Sequence, residues 1–156
     1  MLLEQKAIQT LRDTRKTLAV AESCTGGLLC HRLTNIPGSS EVLKFGLVAY
    51  ADEAKLNFLN VPETTLRRYG AVSKETAIAM AKGVRNKLGT DLGISITGIA
   101  GPGGGSAKKP IGTTFMAINS GARTSSFKFN FKGSRKSIKS QAATKALRLI
   151  IKAVYA

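Results

Sequence analysis

The sequence predicts an α/β fold built on a mixed β-sheet, and three observations lead to it. Short apolar runs typical of buried strands alternate along the chain with longer segments of helical periodicity. Two strand-like segments follow one another late in the chain, where a hairpin would add antiparallel strands to the sheet. The length of 156 residues suits a single core. We therefore expect one domain over residues 1–156.

The first half of the chain contains two predicted strands and four predicted helical segments. An amphipathic charge pattern supports the first helix, "NIPGSS" stops the second, and Pro62 and Gly70 bound the two short ones. The predicted segments are a helix over about 2–14, a strand over 17–22, a helix from the glycine pair to about Leu33, a strand over 45–50, and short helices within 51–61 and 62–70.

The second half contains a long helix, three strands and a final helix. Ser73 is a suitable N-cap for the first of these helices, and Gly89 suits the position just after its end. Apolar residues recur along one face of the final helix. The predicted segments are a helix over 73–89, a buried strand over 92–97, strands over 113–120 and 124–131 joined by a turn at Gly121, and a helix over 134–155.

The charge of the chain is high and unevenly distributed. The net charge is +15, and all nine acidic residues lie at or before Asp91. This asymmetry favours an anionic partner, either nucleic acid or a phosphorylated small molecule, although solvated surface lysines give the same composition. Nucleic acid is the weaker expectation, because no RNA-binding motif or recognition helix is visible and "FKFNFK" fits a half-buried edge strand.

Other classes of protein are disfavoured by what the sequence lacks. No apolar run has the length of a membrane span, and the first residues lack the apolar core of a signal peptide, so we expect a cytoplasmic protein without membrane contact. Cys24 and Cys30 diverge if they share a helix, which argues against a disulfide between them. With a single histidine, His31, the spacing of a zinc site is also missing.

The first candidate site is "AESCTGG", where a strand ends and a helix begins. Ser23 and Cys24 are both potential nucleophiles there, but His31 lies eight residues further on, about 12 Å along a helix, too far for a Ser–His pair. A lysine that burial keeps neutral can replace histidine as the base. Gly26 and Gly27 would let a substrate approach the free N–H groups of the helix start. A simple helix cap fits the same pattern, so the spacing alone leaves both readings open.

The second candidate site is "YADEAK", residues 50–55, at the end of the next predicted strand. Tyr50 is suited to orient a reacting group and Lys55 to act as the base. The alternative is an ordinary helix start, with Asp52 and Glu53 as first-turn acids and Lys55 as a helical lysine.

The third candidate site is the glycine-rich segment "TGIAGPGGG", residues 97–105. Five glycines in nine residues after a strand predict a backbone-lined loop, a common place for ligands in α/β proteins. The segment is not a phosphate-binding P-loop, because no Gly-Lys-Ser/Thr follows at the required spacing. A flexible surface loop is the alternative.

These three segments, together with "PGSS", "GAVSKETA" and "KPIGT", resemble the CinA C-terminal domain family over about residues 5–155. Full CinA proteins have an additional N-terminal domain without a counterpart here, so the sequence resembles the stand-alone members, which are nicotinamide mononucleotide (NMN) deamidases. The resemblance implies a three-layer α/β/α sandwich that hydrolyses the carboxamide of NMN to nicotinate mononucleotide and ammonia in pyridine-nucleotide salvage. It implies no metal or organic cofactor, and we further expect a homo-oligomer.

The resemblance also assigns residues. The family's serine and lysine correspond to Ser23 and Lys55, its tyrosine to Tyr50, and its arginine to Arg135 in "GSRKSIK", where the family commonly has an acidic "GDRE"-like stretch. We expect Tyr50 to orient Lys55 or assist proton transfer, and Arg135 with the glycine loop to bind the substrate phosphate. The residues expected to bind substrate are Thr25, Gly26, Gly27, Thr97, Gly98, Gly101, Gly103 and Arg135. Two alternatives stay open, an amidase for another small carboxamide and a catalytically weak nucleotide- or nucleic-acid-binding protein on the same fold.

Overall fold

A five-stranded mixed β-sheet forms the centre of the protein, with strand order β2-β1-β3-β4-β5. The computed structural model describes all residues, 1–156. β1 is parallel to β2 and β3, whereas β3–β4 and β4–β5 are antiparallel, which confirms the predicted α/β class and its late hairpin. The strands are β1 Leu18–Glu22, β2 Leu43–Val48, β3 Leu92–Gly98, β4 Thr113–Asn119 and β5 Thr124–Asn130.

Six α-helices cover the two faces of the sheet and complete a three-layer sandwich. The first, second and sixth helices pack in the larger core on one face, and the third to fifth pack on the other. None of the six is both long and apolar enough to cross a membrane. The helices are α1 Leu3–Asp13, α2 Leu28–Thr34, α3 Asp52–Leu59, α4 Glu63–Tyr69, α5 Lys74–Leu88 and α6 Arg135–Ala153.

The two faces of the sheet differ in side-chain size, and this difference sets how closely the helices approach. On β1, Leu18 and Val20 belong to the larger core, whereas Ala19 belongs to the core on the opposite face. Small residues also face α5 from β3, where the Ser95 hydroxyl donates to the carbonyl of Ala77, 2.6 Å away. Alternation along strands places such residues on one face, so α5 packs almost directly on the sheet backbone.

The alternation of Phe and Lys residues along β5 is explained by packing within the protein, without a role in binding nucleic acid. Phe127, Phe129 and Phe131 pack against the core beneath α6, and their rings stack along the strand. Lys128, between the first two, is exposed. The pattern is therefore that of an edge strand with one buried face.

The parallel strands β1, β2 and β3 bring the three candidate segments to the same edge of the sheet. The segments begin directly after or near the carboxyl ends of these strands, at Glu22, Val48 and Gly98. β2 begins and ends two residues earlier than predicted, and its pairing with β1 ends with the hydrogen bond from the N–H of Ala49 to the carbonyl of Glu22. Tyr50 consequently lies in the connection to α3 rather than in the strand.

Candidate active site

A cavity of about 200 Å³ opens at the carboxyl edge of β1 and β3. It brings together seven of the residues singled out in the sequence, from four separate parts of the chain. We call it the Ser23 cavity. Its lining residues are Ser23, Cys24, Tyr50, Lys55, Ala71, Val72, Thr97, Gly98, Ala100 and Arg135.

Lys55 is the most unusual side chain of this cavity, because it is a lysine that is only 1% exposed. Its Nζ lies 3.1 Å from Ser23 Oγ, 2.8 Å from the carbonyl oxygen of Ala49 and 3.2 Å from that of Tyr50. A neutral amine has two N–H donors and one lone pair. The two carbonyls can therefore accept both N–H groups while the lone pair accepts the Ser23 hydroxyl proton.

Burial lowers the pKa of Lys55 below its ordinary value, because the charged ammonium loses its hydration inside the protein. The negative charge of Asp52, in the first turn of α3, opposes this shift with a smaller effect. No carboxylate forms an ion pair with Lys55, since the ion pairs of the chain are all elsewhere. The amine is thus available in its neutral form at a lower pH than an exposed lysine.

Ser23 and Cys24 differ in their capacity to act as a nucleophile. Both side chains line the cavity and each residue is 7% exposed. Burial raises the pKa of the Cys24 thiol to about 11, so the thiolate is scarce at neutral pH. Ser23, in contrast, has the Lys55 amine within hydrogen-bond distance. The local geometry therefore favours Ser23 over its neighbour.

Glu22, which the sequence did not single out, holds the segment after Ser23 in place. Its carboxylate is fully buried and accepts two hydrogen bonds of 3.0 Å, from the N–H groups of Leu29 and Cys30. α2 begins at Leu28, directly after the glycine pair at which the sequence predicts its start, so a four-residue turn separates Ser23 from the helix. The physical reason is that the glycine pair before α2 has positive φ values, which the right-handed helix does not allow.

The turn itself nevertheless presents unpaired hydrogen-bond donors. No other residue accepts a hydrogen bond from the backbone N–H groups of Cys24, Thr25 or Gly27, whereas Gly26 donates to the carbonyl of Ser23. The Thr25 hydroxyl is the one buried side-chain polar atom of the protein without a partner. Buried polar groups are normally paired, so this turn is suited to a polar ligand.

Replacing Glu22 with glutamine is expected to lower the free energy of unfolding by about 2–3 kcal/mol. Glutamine keeps one acceptor oxygen but turns an NH₂ donor toward the other helix N–H group. The midpoint of urea unfolding measures this loss. A matched control is Glu63→Gln, which removes an exposed ion pair with Arg67 and should cost less than about 0.5 kcal/mol. Equal stability of the two variants would contradict the capping role of Glu22.

Tyr50 and Arg135 form one wall of the cavity. The Tyr50 side chain is largely exposed, and its hydroxyl accepts a 3.2 Å hydrogen bond from Arg135 Nη2. Arg135 Nη1 donates to the carbonyl of Gly101, 2.6 Å away. The phenol, expected to orient Lys55 or to assist proton transfer, contacts Arg135, and none of the Lys55 hydrogen bonds involves it. The contact with Lys55 comes from the backbone carbonyl of Tyr50.

β3 supplies the opposite wall through Thr97 and Gly98. The Thr97 hydroxyl donates to the carbonyl of Ala71 at 2.8 Å and ties the segment before α5 to the sheet. A Cβ atom at Gly98 would lie 2.7 Å from the hydroxyl of Thr114 and 3.2 Å from the thiol of Cys24, so only glycine fits there. Gly103 is exposed and does not line the cavity.

Three lining residues, Ala71, Val72 and Ala100, lie within the quoted segments "GAVSKETA" and "TGIAGPGGG" but were not singled out, because they are small or apolar and resemble core residues. Cys24 is buried and Cys30 is half-buried, and both are free thiols. No three His, Cys, Asp or Glu side chains lie close enough to hold a metal ion.

Comparison with models of protein families shows to which family the chain belongs. The family model of the CinA C-terminal domain matches residues 2–154. The chain belongs to this family. A putative competence-damage inducible protein of Caldicellulosiruptor bescii, a CinA relative, is 45% identical over 153 residues, which cover 98% of this chain and 37% of the relative. A CinA-like protein of Kosmotoga olearia is 43% identical over 152 residues, which cover 97% of this chain and 37% of that protein.

Solved structures of CinA proteins share the whole fold. A CinA superfamily protein from Klebsiella pneumoniae has a TM-score of 0.94 and 31% identity, over 98% of this chain and 96% of that one. The competence/damage inducible protein CihA from Agrobacterium tumefaciens has a TM-score of 0.92 and 36% identity, over 99% and 96%. These relatives are named for competence or damage induction rather than for a reaction. The CinA domain spans 37% of the length of the two curated relatives above.

Proposed function

We propose that this CinA domain is an amidohydrolase that cleaves the carboxamide of NMN to nicotinate mononucleotide and ammonia. The observation that carries the proposal is the 3.1 Å contact between Ser23 Oγ and the buried Lys55 amine inside a cavity. A serine paired with a neutral lysine is one of the known solutions for acyl transfer without histidine. The choice of NMN follows the resemblance of the segments around these residues to NMN deamidases.

The first half of the reaction transfers the acyl group to Ser23. Neutral Lys55 accepts the hydroxyl proton while Oγ attacks the carboxamide carbon, and the N–H groups of Cys24 and Thr25 bind the oxyanion that forms. The Lys55 ammonium then returns the proton to the amide nitrogen. The C–N bond breaks, ammonia leaves, and an ester of nicotinate mononucleotide remains on Ser23.

The second half hydrolyses this ester. Lys55, again neutral, accepts a proton from water as the water oxygen attacks the ester carbon. The C–Oγ bond breaks, the Lys55 proton returns to Ser23, and nicotinate mononucleotide is released with a carboxylate in place of the carboxamide. The proposed cycle uses Ser23, Lys55, backbone N–H groups and water, and it requires no metal or organic cofactor.

The remaining lining residues position the substrate. The volume of about 200 Å³ lies below the ~300–1,000 Å³ typical of complete ligand sites. The flat nicotinamide ring therefore occupies the Ser23 cavity, and the ribose phosphate extends beyond it. Thr97 and Gly98 shape the wall along β3, and Arg135, held by Gly101 and Tyr50, borders the entrance.

The experiment is to incubate the purified protein with NMN and to quantify ammonia and nicotinate mononucleotide together. We expect the two products in equal amounts, at a rate above that with free nicotinamide, asparagine or glutamine. Faster hydrolysis of one of these other carboxamides would reassign the substrate. Absence of ammonia from all of them would contradict the amidohydrolase proposal.

A further inference from the structure

A second cavity, of about 390 Å³, opens beside the turn that follows Ser23. It does not share a lining residue with the Ser23 cavity, but residues that are consecutive in the chain line the two, Cys24 and Thr25 in one place and Arg135 and Lys136 in another. The cavity lies between the turn, α2 and the start of α6. We call it the cationic cleft, and the residues that matter for its chemistry are Thr25, Gly26, Gly27, His31, Lys136 and Lys139.

The cleft carries positive charge without a compensating acid. Lys136 and Lys139 are three residues apart on α6, so their side chains lie on the same face of the helix. No carboxylate lines the cleft, and neither lysine takes part in any ion pair of the protein. The first turn of α6 also contains no acid, although acids are the residues that favour a helix start. This arrangement costs helix stability, and an anionic ligand would offset that cost.

The turn contributes donors to the same space. A Cβ at Gly26 would lie 3.5 Å from Lys139 Nζ, so the ammonium stands directly over the turn. The N–H of Gly27 has no partner in the chain, and neither has the buried hydroxyl of Thr25. An ammonium and a backbone N–H at one cleft are donors that suit the oxygens of a phosphate.

In the proposed binding mode the ribose phosphate extends out of the Ser23 cavity, and the cationic cleft is the neighbouring site that could receive it. Lys139 is close enough to Cys24 for its charge to act on that thiol. Arg135, the cation first expected to bind phosphate, has Nη1 and Nη2 engaged by Gly101 and Tyr50. The two cavities together have the volume of a complete ligand site.

We propose that the cationic cleft binds the 5′-phosphate of the nucleotide substrate, with Lys136 and Lys139 as its charge partners. This inference rests on the proposed function, since it assigns a substrate group to a subsite of the same active site. Binding of the phosphate in the cleft makes the enzyme selective for the phosphorylated carboxamide over the corresponding nucleoside.

The test compares NMN with nicotinamide riboside, which has the same carboxamide, ring and ribose but no phosphate. A double variant, Lys136→Gln with Lys139→Gln, should raise KM for NMN about 10- to 100-fold. Its kcat/KM for the riboside should stay unchanged. The control is Lys87→Gln, an exposed lysine in the last turn of α5 at the opposite edge of the sheet, which should alter neither substrate. An equal loss for both substrates, or an unchanged preference for NMN, would overturn the proposal.

A binding measurement separates this proposal from the proposed function. Ribose 5-phosphate, titrated into the wild-type protein in a calorimeter, should bind, and the double variant should lose this binding while Lys87→Gln keeps it. If no carboxamide is hydrolysed but this pattern holds, the amidohydrolase proposal fails and the phosphate subsite stands. No binding to the wild-type protein, or equal binding to the double variant, would overturn the subsite. Removing cations from a helix start does not weaken the helix, so the double variant should unfold at a temperature no lower than that of the wild type.

Discussion

Ammonia release from NMN should fall by at least about 1,000-fold when Ser23 is replaced by alanine. The hydroxyl is the atom that forms the acyl bond in the proposed reaction, and no other hydroxyl lies within hydrogen-bond distance of Lys55 Nζ. The substitution removes one oxygen from a residue that is 7% exposed, so the fold should persist. The rate of ammonia formation by the purified variant, with thermal unfolding as the check on folding, measures the effect.

Cys24→Ala provides the matched control, because it removes the neighbouring side chain from the same cavity wall. Its thiol has a pKa of about 11 through burial and is therefore protonated at neutral pH. Turnover within a few-fold of the wild type is expected. A loss as large as that of Ser23→Ala would make Cys24 the nucleophile, and full activity of Ser23→Ala would remove Ser23 from the mechanism.

Lys55→Arg should reduce kcat by about 100- to 10,000-fold. A guanidinium keeps its proton at any ordinary pH, so arginine has N–H donors and a permanent charge but cannot accept the Ser23 proton. The matched control is Lys74→Arg, at an exposed position in the first turn of α5, which should leave kcat unchanged. Retained activity in Lys55→Arg, with a folded protein, would show that Lys55 is not the base.

The pH dependence of the wild-type enzyme follows from the same lysine. Lys55 is active as the neutral amine, so kcat/KM should be low at acidic pH, rise through the pKa of Lys55 and then level off. Burial lowers that pKa, so the rise should be complete at a lower pH than the ~10.4 of a free lysine predicts. A rate that falls over this range would contradict a lysine base.

Most of the fold was predictable because its signals are local. Runs such as "LAVAE" and "LGISIT" are too apolar for the surface, and Ser73 and Gly89 mark the ends of α5 as N-cap and C-cap. The ends of β2 were harder to predict. This edge strand has alternating burial, and its ends depend on the extent of its pairing with β1, which the local sequence does not encode.

The candidate site was predictable in its residue types but not in its contacts. Ser23 and Lys55 stand out because each follows a parallel strand, and parallel strands end at the same edge of a sheet. Glu22 was missed because an acid at a strand end usually faces solvent, whereas here it caps α2. The partner of the Tyr50 hydroxyl is Arg135, which is 85 residues further along the chain, so the sequence around Tyr50 does not indicate this contact.

The acyl-enzyme on Ser23 is tested most directly by letting NMN react in the presence of hydroxylamine, a nucleophile that competes with water for an acyl-enzyme. If ammonia leaves before water attacks, as the Ser23 ester requires, hydroxylamine will divert part of the product to the hydroxamate of nicotinate mononucleotide. We expect this hydroxamate to form with the wild-type protein and to be absent with Ser23→Ala. Formation of nicotinate mononucleotide alone, at hydroxylamine concentrations that leave the enzyme active, would contradict a covalent intermediate on Ser23.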